Sequence, residues 1–264
     1  MQISAQNAAR NCNLIYKRDD SFIPFIAKEV VFMKYNYIGI VIADGCEYEP
    51  MRDYALSVGG KSDMLGGMEC VRFACGDIRL TVVRSGIGKV NAAGAAAFLI
   101  ADGAELLMST GYSGGIAGAP RGSTALASGF VEHDFDLTPL GYEPAVKPDQ
   151  EYFYNADEYA SNVAKSLYPK LASGVMVSGD CFVSDNTLRD KLRDRFNAVA
   201  CDMESAAVAS VAYKCGIGTL ALRRISDDAG DDASGLYTEA AVYETSMTDM
   251  LMSIIKSIAE DNNG

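Results

Sequence analysis

The pattern of apolar and polar positions becomes regular at residue 37. The run Tyr37-Ile38-Gly39-Ile40-Val41-Ile42-Ala43 is rich in β-branched side chains and predicts a strand. A more polar stretch follows, which predicts a helix over 47–58 beginning near Pro50. Residues 78–84 predict a second strand, and the alanine-rich stretch 90–102 a helix. Residues 106–110 read as a short apolar strand that ends in the loop Gly111-Tyr112-Ser113-Gly114-Gly115. A strand over 122–132 then leads into His133-Asp134-Phe135-Asp136. The second half repeats the style, with helices over 154–167, 186–195 and 202–214 and strands over 175–178 and 218–226. A long helix over 238–259 closes the chain, and the Met-Glu-Cys and Cys-Gly phrases within 68–76 read as core and turn. Strands alternating with helices predict a sheet covered by helices on both faces.

Residues 1–36 have no such period, and Pro24 interrupts their one apolar stretch. They are expected to form an N-terminal extension, either a tail or an arm on the surface. No proline- or serine-rich linker divides the remainder, so 37–264 is expected to be a single domain.

Composition narrows the functional classes. The net charge of −12 over 264 residues excludes a protein built to grip a nucleic-acid backbone, which needs a basic face. It leaves small ligands open. The seven cysteines form no CxxC pair and are odd in number, which predicts reduced thiols and a cytoplasmic protein. His133 is the only histidine, so no multi-histidine metal site is expected. No apolar run is long enough for a membrane span, and the first 36 residues lack the pattern of a secretory signal.

Several phrases carry candidate chemistry. The turn Ser85-Gly86-Ile87-Gly88-Lys89-Val90 offers glycines and free helical N–H groups to an anion or a polarised water. It is equally a tight packing turn. A dinucleotide fingerprint wants a third glycine where Asn91 stands. The small residues from Gly111 to Gly115 follow a strand end, where ligands of α/β sheets gather. Asp227 ends an apolar strand, where desolvation raises a carboxyl pKa and suits it to general-acid chemistry; the alternative is a solvated loop acid. Glu47 reads as a base or as an acid complementing a helix N-terminus. Glu204 is placed inside the 202–214 helix as a hydroxyl clamp, with Asp202 turned to another face, toward solvent or the helix dipole. Ser184 and Asp185 read as helix capping.

Taken in order, these phrases carry a resemblance. They are Ile38-Gly39-Ile40 with Glu47, Ser85 to Val90, Thr110-Gly111 with Gly114-Gly115, and His133 to Asp136. Ser178-Gly179-Asp180 with Phe182, Met203-Glu204, and Arg223 with Ser226-Asp227 complete the set. From about Tyr37 to Ala259 the chain resembles the 5′-methylthioadenosine/S-adenosylhomocysteine nucleosidases of the purine nucleoside phosphorylase superfamily. The resemblance implies an α/β fold, a three-layer α/β/α sandwich with a mixed central sheet. It implies hydrolysis of the N-glycosidic bond of either nucleoside, releasing adenine, with no cofactor and no metal. Asp227 is implied to protonate adenine N7, and Glu47 to activate the water. Met203 and Glu204 are implied at the ribose, Phe182 stacked on the base, and Val183 reading its edge through backbone. Arg223 is implied in the water pocket, together with Ser113 and Gly114, and Tyr237 over the 5′ substituent. A homodimer is implied as well. Two departures stand out: Asp44 occupies a position where a methionine is usual, and Tyr112 replaces a small residue. The alternatives are phosphorolysis with arginines on the phosphate, a futalosine-type substrate, and a non-catalytic nucleoside-binding protein.

Overall fold

Strand β1 (Tyr37–Ile42) is buried at every position, and its side chains divide between two cores. Ile38, Ile40 and Ile42 enter one cluster, while Tyr37 and Val41 enter the other. A strand covered on both faces needs apolar residues throughout, which is why this segment reads as a continuous run. The structure, a computed structural model, describes residues 35–240 and 246–261. Of the expected extension only Tyr35 and Asn36 fall within them, and residues 1–34 lie outside. Tyr35 stacks at a tilt on Tyr159, ring centres 6.2 Å apart.

Helix α1 (Gly45–Ser57) begins one turn before the expected point, so Pro50 lies inside it. A capping box explains the early start: the Asp44 side chain accepts from backbone N–H groups of the first turn, and Glu47 reaches back to the Asp44 N–H. Strands β2 (Lys61–Leu65) and β3 (Met68–Cys75) form an antiparallel hairpin where core and turn were expected. Its loop is Gly66-Gly67, with φ of 57° and 82°, the backbone that a two-residue hairpin requires.

The chain continues through β4 (Ile78–Arg84), α2 (Lys89–Ala101), β5 (Leu106–Gly115) and β6 (Thr124–Glu132). β5 runs straight on through the glycine phrase that was expected to be a loop, because Gly114 and Gly115 pair with another strand. The helix expected from 154 is two elements, β7 (Phe153–Asn155) and α3 (Glu158–Leu167). Asp157 separates them, accepting from the Ala160 N–H at 2.8 Å as the cap. Next come β8 (Ala172–Ser178) and α4 (Asn186–Phe196), which Asp185 caps as expected. The helix expected from 202 is also divided, into β9 (Ala198–Asp202) and α5 (Ser205–Lys214). After β10 (Gly218–Asp227), the stretch expected to form a closing helix carries α6 (Ala233–Ala240) and α7 (Ser246–Asp261), and residues 241–245 lie outside the described residues.

All ten strands join one mixed sheet in the order β10-β6-β8-β9-β5-β1-β4-β3-β2, with β7 beside β6. Helices α1, α3 and α7 contribute to the core on one face, and α2 and α5 to the core on the other. This is the expected three-layer arrangement with one addition. β10 also pairs with β5, so β5, β10, β6, β8 and β9 close on themselves. β5 makes this closure. One edge of it carries β1 along Leu106–Thr110 and then β9 at Gly114–Gly115, while the other carries β10. The ends of β5, β9 and β10 are thereby drawn together. Among the described residues, no helix is long and apolar enough to cross a membrane.

Candidate active site

At those converging ends lies a cavity of about 370 Å³. Its wall carries Asp44, Glu47, Asp202, Glu204 and Asp227, and among the described residues no lysine or arginine. Of the residues singled out from sequence, Glu47, Asp227, Phe182, Val183, Met203, Glu204, Tyr237, Ser113 and Gly114 all line it. Arg223 does not. It lies beneath the wall with 1% of its surface exposed and ion-pairs with Asp202 at 2.8 Å. Its expected place in the water pocket is therefore corrected to a supporting position.

Asp227 is the last residue of β10, at a point where the pairing with β5 shifts register. Its carboxylate accepts from the Ser226 hydroxyl at 2.7 Å and from the Ala229 N–H at 2.8 Å. Burial nevertheless raises its pKa against both bonds, with Asp228 adding to the rise. The backbone must come close to allow this packing: a Cβ on Gly114 would lie 3.0 Å from Asp227 Oδ1.

Glu47 occupies the third position of α1 and turns back over the end of β5. One oxygen accepts from the Tyr112 N–H at 2.6 Å. Gly111 makes this approach feasible, since its φ is 151° and a Cβ there would meet the Glu47 carboxylate and the Arg223 guanidinium at 2.7 Å. Glu47 is partly buried and open to the cavity. Burial pushes its pKa up to about 7, against the opposing pull of Arg223 and of the Tyr112 N–H, and with Glu204 assisting the rise.

Glu204 and Asp202 differ from expectation. The helix does not contain either: Asp202 ends β9 and Glu204 precedes the first residue of α5. Asp202 is not turned to solvent. It is buried and accepts hydroxyl bonds from Ser178 and Ser205 and N–H bonds from Glu204 and Ser205. Glu204 accepts from the Gly88 N–H at 3.0 Å and stands 3.6 Å from Arg223. Its pKa is raised by burial, with Arg223 opposing and Asp202 assisting. For Arg223, burial alone disfavours the charge; Asp202, Glu204 and Glu47 together override it and raise the pKa. The glycine turn offered above to an external anion thus holds two of the chain's own carboxylates. Gly88 N–H takes Glu204, and Lys89 N–H takes Asp180 at 2.8 Å. That packing role locates Glu204, which spacing alone did not reveal.

An aromatic wall completes the cavity. Phe182, 45% exposed, meets Tyr237 edge-on at 5.7 Å, and Tyr237 meets Tyr112 edge-on at 6.0 Å. The Ser113 hydroxyl is buried on the wall and has no hydrogen-bond partner among the described residues. Sequence reading missed Cys201, which is buried beside Asp227; burial, then the Asp227 carboxylate, hold its thiol well above the usual range. A short buried strand of alanine and cysteine carries no period that announces such a residue.

A family model described as the Phosphorylase superfamily matches residues 37–254, a span that holds every residue named in this cavity. The chain belongs to this superfamily. Among relatives, it is 35% identical over 169 residues to an aminodeoxyfutalosine nucleosidase of Campylobacter jejuni, covering 62% of this chain and 74% of the relative. It is 34% identical over 167 residues to a 5′-methylthioadenosine/S-adenosylhomocysteine nucleosidase of Halalkalibacterium halodurans, covering 61% and 72%. A solved superfamily structure, the 5′-methylthioadenosine/S-adenosylhomocysteine nucleosidase of Helicobacter pylori with butyl-thio-DADMe-Immucillin-A, superposes with a TM-score of 0.79. That match has 28% identity and covers 86% of this chain and 99% of the other.

Proposed function

We propose that this chain hydrolyses the N-glycosidic bond of 5′-methylthioadenosine, S-adenosylhomocysteine or both, releasing adenine. One observation carries the reading: two carboxyls whose pKa values burial raises, Glu47 and Asp227, line one cavity together with Glu204. Cleavage of this bond leaves positive charge on the sugar and negative charge on the departing base. Asp227, whose burial favours the protonated form, gives its proton to adenine N7. Glu47, poised near neutrality, takes a proton from the attacking water. Glu204 accepts from the ribose 2′- and 3′-hydroxyls, and Met203 packs against the sugar. Phe182 stacks on the base, a contact worth about 1–3 kcal/mol, and the Val183 backbone reads its edge. Ser113, Gly114 and Tyr112 flank the water, and Tyr237 covers the 5′ substituent. Arg223 acts through Asp202 and Glu204 by fixing their charges.

The wall supports water over phosphate as the nucleophile. It presents five acidic side chains and, among the described residues, no cation to hold a phosphate. Arg84, the other arginine considered for that role, pairs with Glu69 at 3.3 Å. The similarity to an aminodeoxyfutalosine nucleosidase and the charge of Asp44 favour a second reading, hydrolysis of an adenine nucleoside with a different 5′ group. We also infer a cytoplasmic homodimer with a small-molecule substrate, formed by a single domain from 37 onward.

Product analysis by mass spectrometry tests the proposal. The protein is incubated with 5′-methylthioadenosine, with and without phosphate. Free adenine and free methylthioribose in both conditions are expected. A sugar phosphate formed only with phosphate would reassign the chain to phosphorolysis, and no adenine would sink the first substrate.

A further inference from the structure

The strand β5 serves as a ruler for the cavity. Gly114 abuts Asp227, and Gly111 abuts Glu47. Three residues of strand separate them, about 10 Å. With the base at Asp227, the sugar near Glu204 and the water at Glu47, the 5′ substituent falls under Tyr237, which lines the same cavity and feels the Glu47 and Asp44 charges at that end.

Asp44 forms part of the wall at that end. It caps α1, accepting from the Cys46 N–H at 3.3 Å and from the N–H of Glu47, both neutral donors, and it remains partly exposed. No lysine or arginine pairs with it among the described residues. In contrast, Asp102 is paired with Arg72 at 2.6 Å and Asp134 with Lys89 at 2.5 Å. A carboxylate that a ligand desolvates without compensation is costly. Aromatic side chains stand nearby: burial, then the Glu47, Cys46 and Asp44 charges, raise the Tyr237 phenol, which keeps it a neutral hydroxyl donor. Aromatic faces beside a carboxylate also suit a cation.

We propose that Asp44 is a specificity-determining residue that favours adenine nucleosides whose 5′ substituent bears an ammonium or similar cationic donor. This rests on the nucleosidase reading and refines its substrate class. A purely apolar 5′ group desolvates the carboxylate and returns nothing; an ammonium pairs with it.

The test exploits the cap. Asparagine and serine cap a helix about as well as aspartate, so Asp44→Asn and Asp44→Ser remove charge and preserve α1. For both variants and the unaltered protein, kcat/KM for adenine release is measured with 5′-amino-5′-deoxyadenosine and 5′-methylthioadenosine. The unaltered protein is expected to prefer the amino compound, and the ratio to fall by at least about tenfold in each variant, a discounted charge-pair effect. The ratio cancels any general loss from disturbing Glu47, which shares the capping box. A preference of the unaltered protein for the methylthio compound overturns the proposal, as does a ratio that both variants leave within about twofold. If neither nucleoside yields adenine, the nucleosidase reading fails. The Asp44 proposal is then judged separately, on the ratio of the two calorimetric Kd values under the same criteria.

Discussion

Asp202 and Glu204 stand two residues apart, both buried on the cavity wall and both close to Arg223, yet their carboxylates are partnered differently. Asp202 takes two hydroxyl donors, two backbone N–H groups and an ion pair, and has no acceptor capacity left for a ligand. Glu204 takes one N–H bond and a long contact with Arg223. A buried acid with saturated lone pairs holds the fold together, whereas one with spare lone pairs is available to a substrate. Asp227 and Glu47 belong with Glu204: each is partly hydrogen-bonded, and in each burial wins over those bonds.

Substitutions divide along that line. The largest effect is expected from Asp227→Asn, which cannot give a proton to the base. Its kcat should fall by about 10²–10⁴-fold, while calorimetry should show nucleoside binding largely intact. Loss of binding together with turnover would place Asp227 with the structural acids. Next is Asp202→Ala, which strands Arg223 as a buried charge. It should destabilise the fold by about 3–5 kcal/mol, read from denaturant unfolding. A mild effect there would break the comparison with Glu204.

Glu204→Gln sharpens it from the other side. Unfolding stability should change by no more than about 1 kcal/mol, because the amide can still accept from Gly88. kcat/KM should drop about tenfold or more as charge-assisted bonds to the ribose are lost. Glu47→Gln removes the base and should cost turnover as Asp227→Asn does, but on the fold its expected effect is the reverse of Asp202→Ala, a gain in stability. The folded protein holds the Glu47 carboxyl up to about 7, above its ordinary 4.5. The stability this contributes is complete below about pH 4.5 and is lost as pH rises through about 7. Glutamine mimics the protonated form, so the variant should be about 3 kcal/mol more stable above pH 7 and unchanged in acid. Thermal melting across pH checks this. In the unaltered enzyme, kcat/KM should rise as pH passes upward through about 7, since Glu47 accepts a proton only when ionised.

Much of this site was legible as residue types in order, and nearly every residue singled out reached the cavity wall. The misplacements have local causes. Gly111–Gly115 reads as a loop, because glycine and serine lack strand propensity; pairing with β9 and β10 overrides it. The hairpin of β2 and β3 carried a signal in Gly66-Gly67 that was passed over. β9 has too few residues to show a period before α5 begins.

The sequence by itself determined the alternation of strands and helices, the cap at Asp185, and the supply of acids. These depend on neighbours along the chain. Tertiary structure alone decided which acids were spent. Arg223 reaches Asp202 only because β10 and β9 are brought together by closure of the sheet around β5, and Gly88 reaches Glu204 from a helix more than 100 residues away. Desolvation has the same origin: the raised pKa values of Glu47 and Asp227 come from burial by segments distant in sequence, which no local pattern encodes.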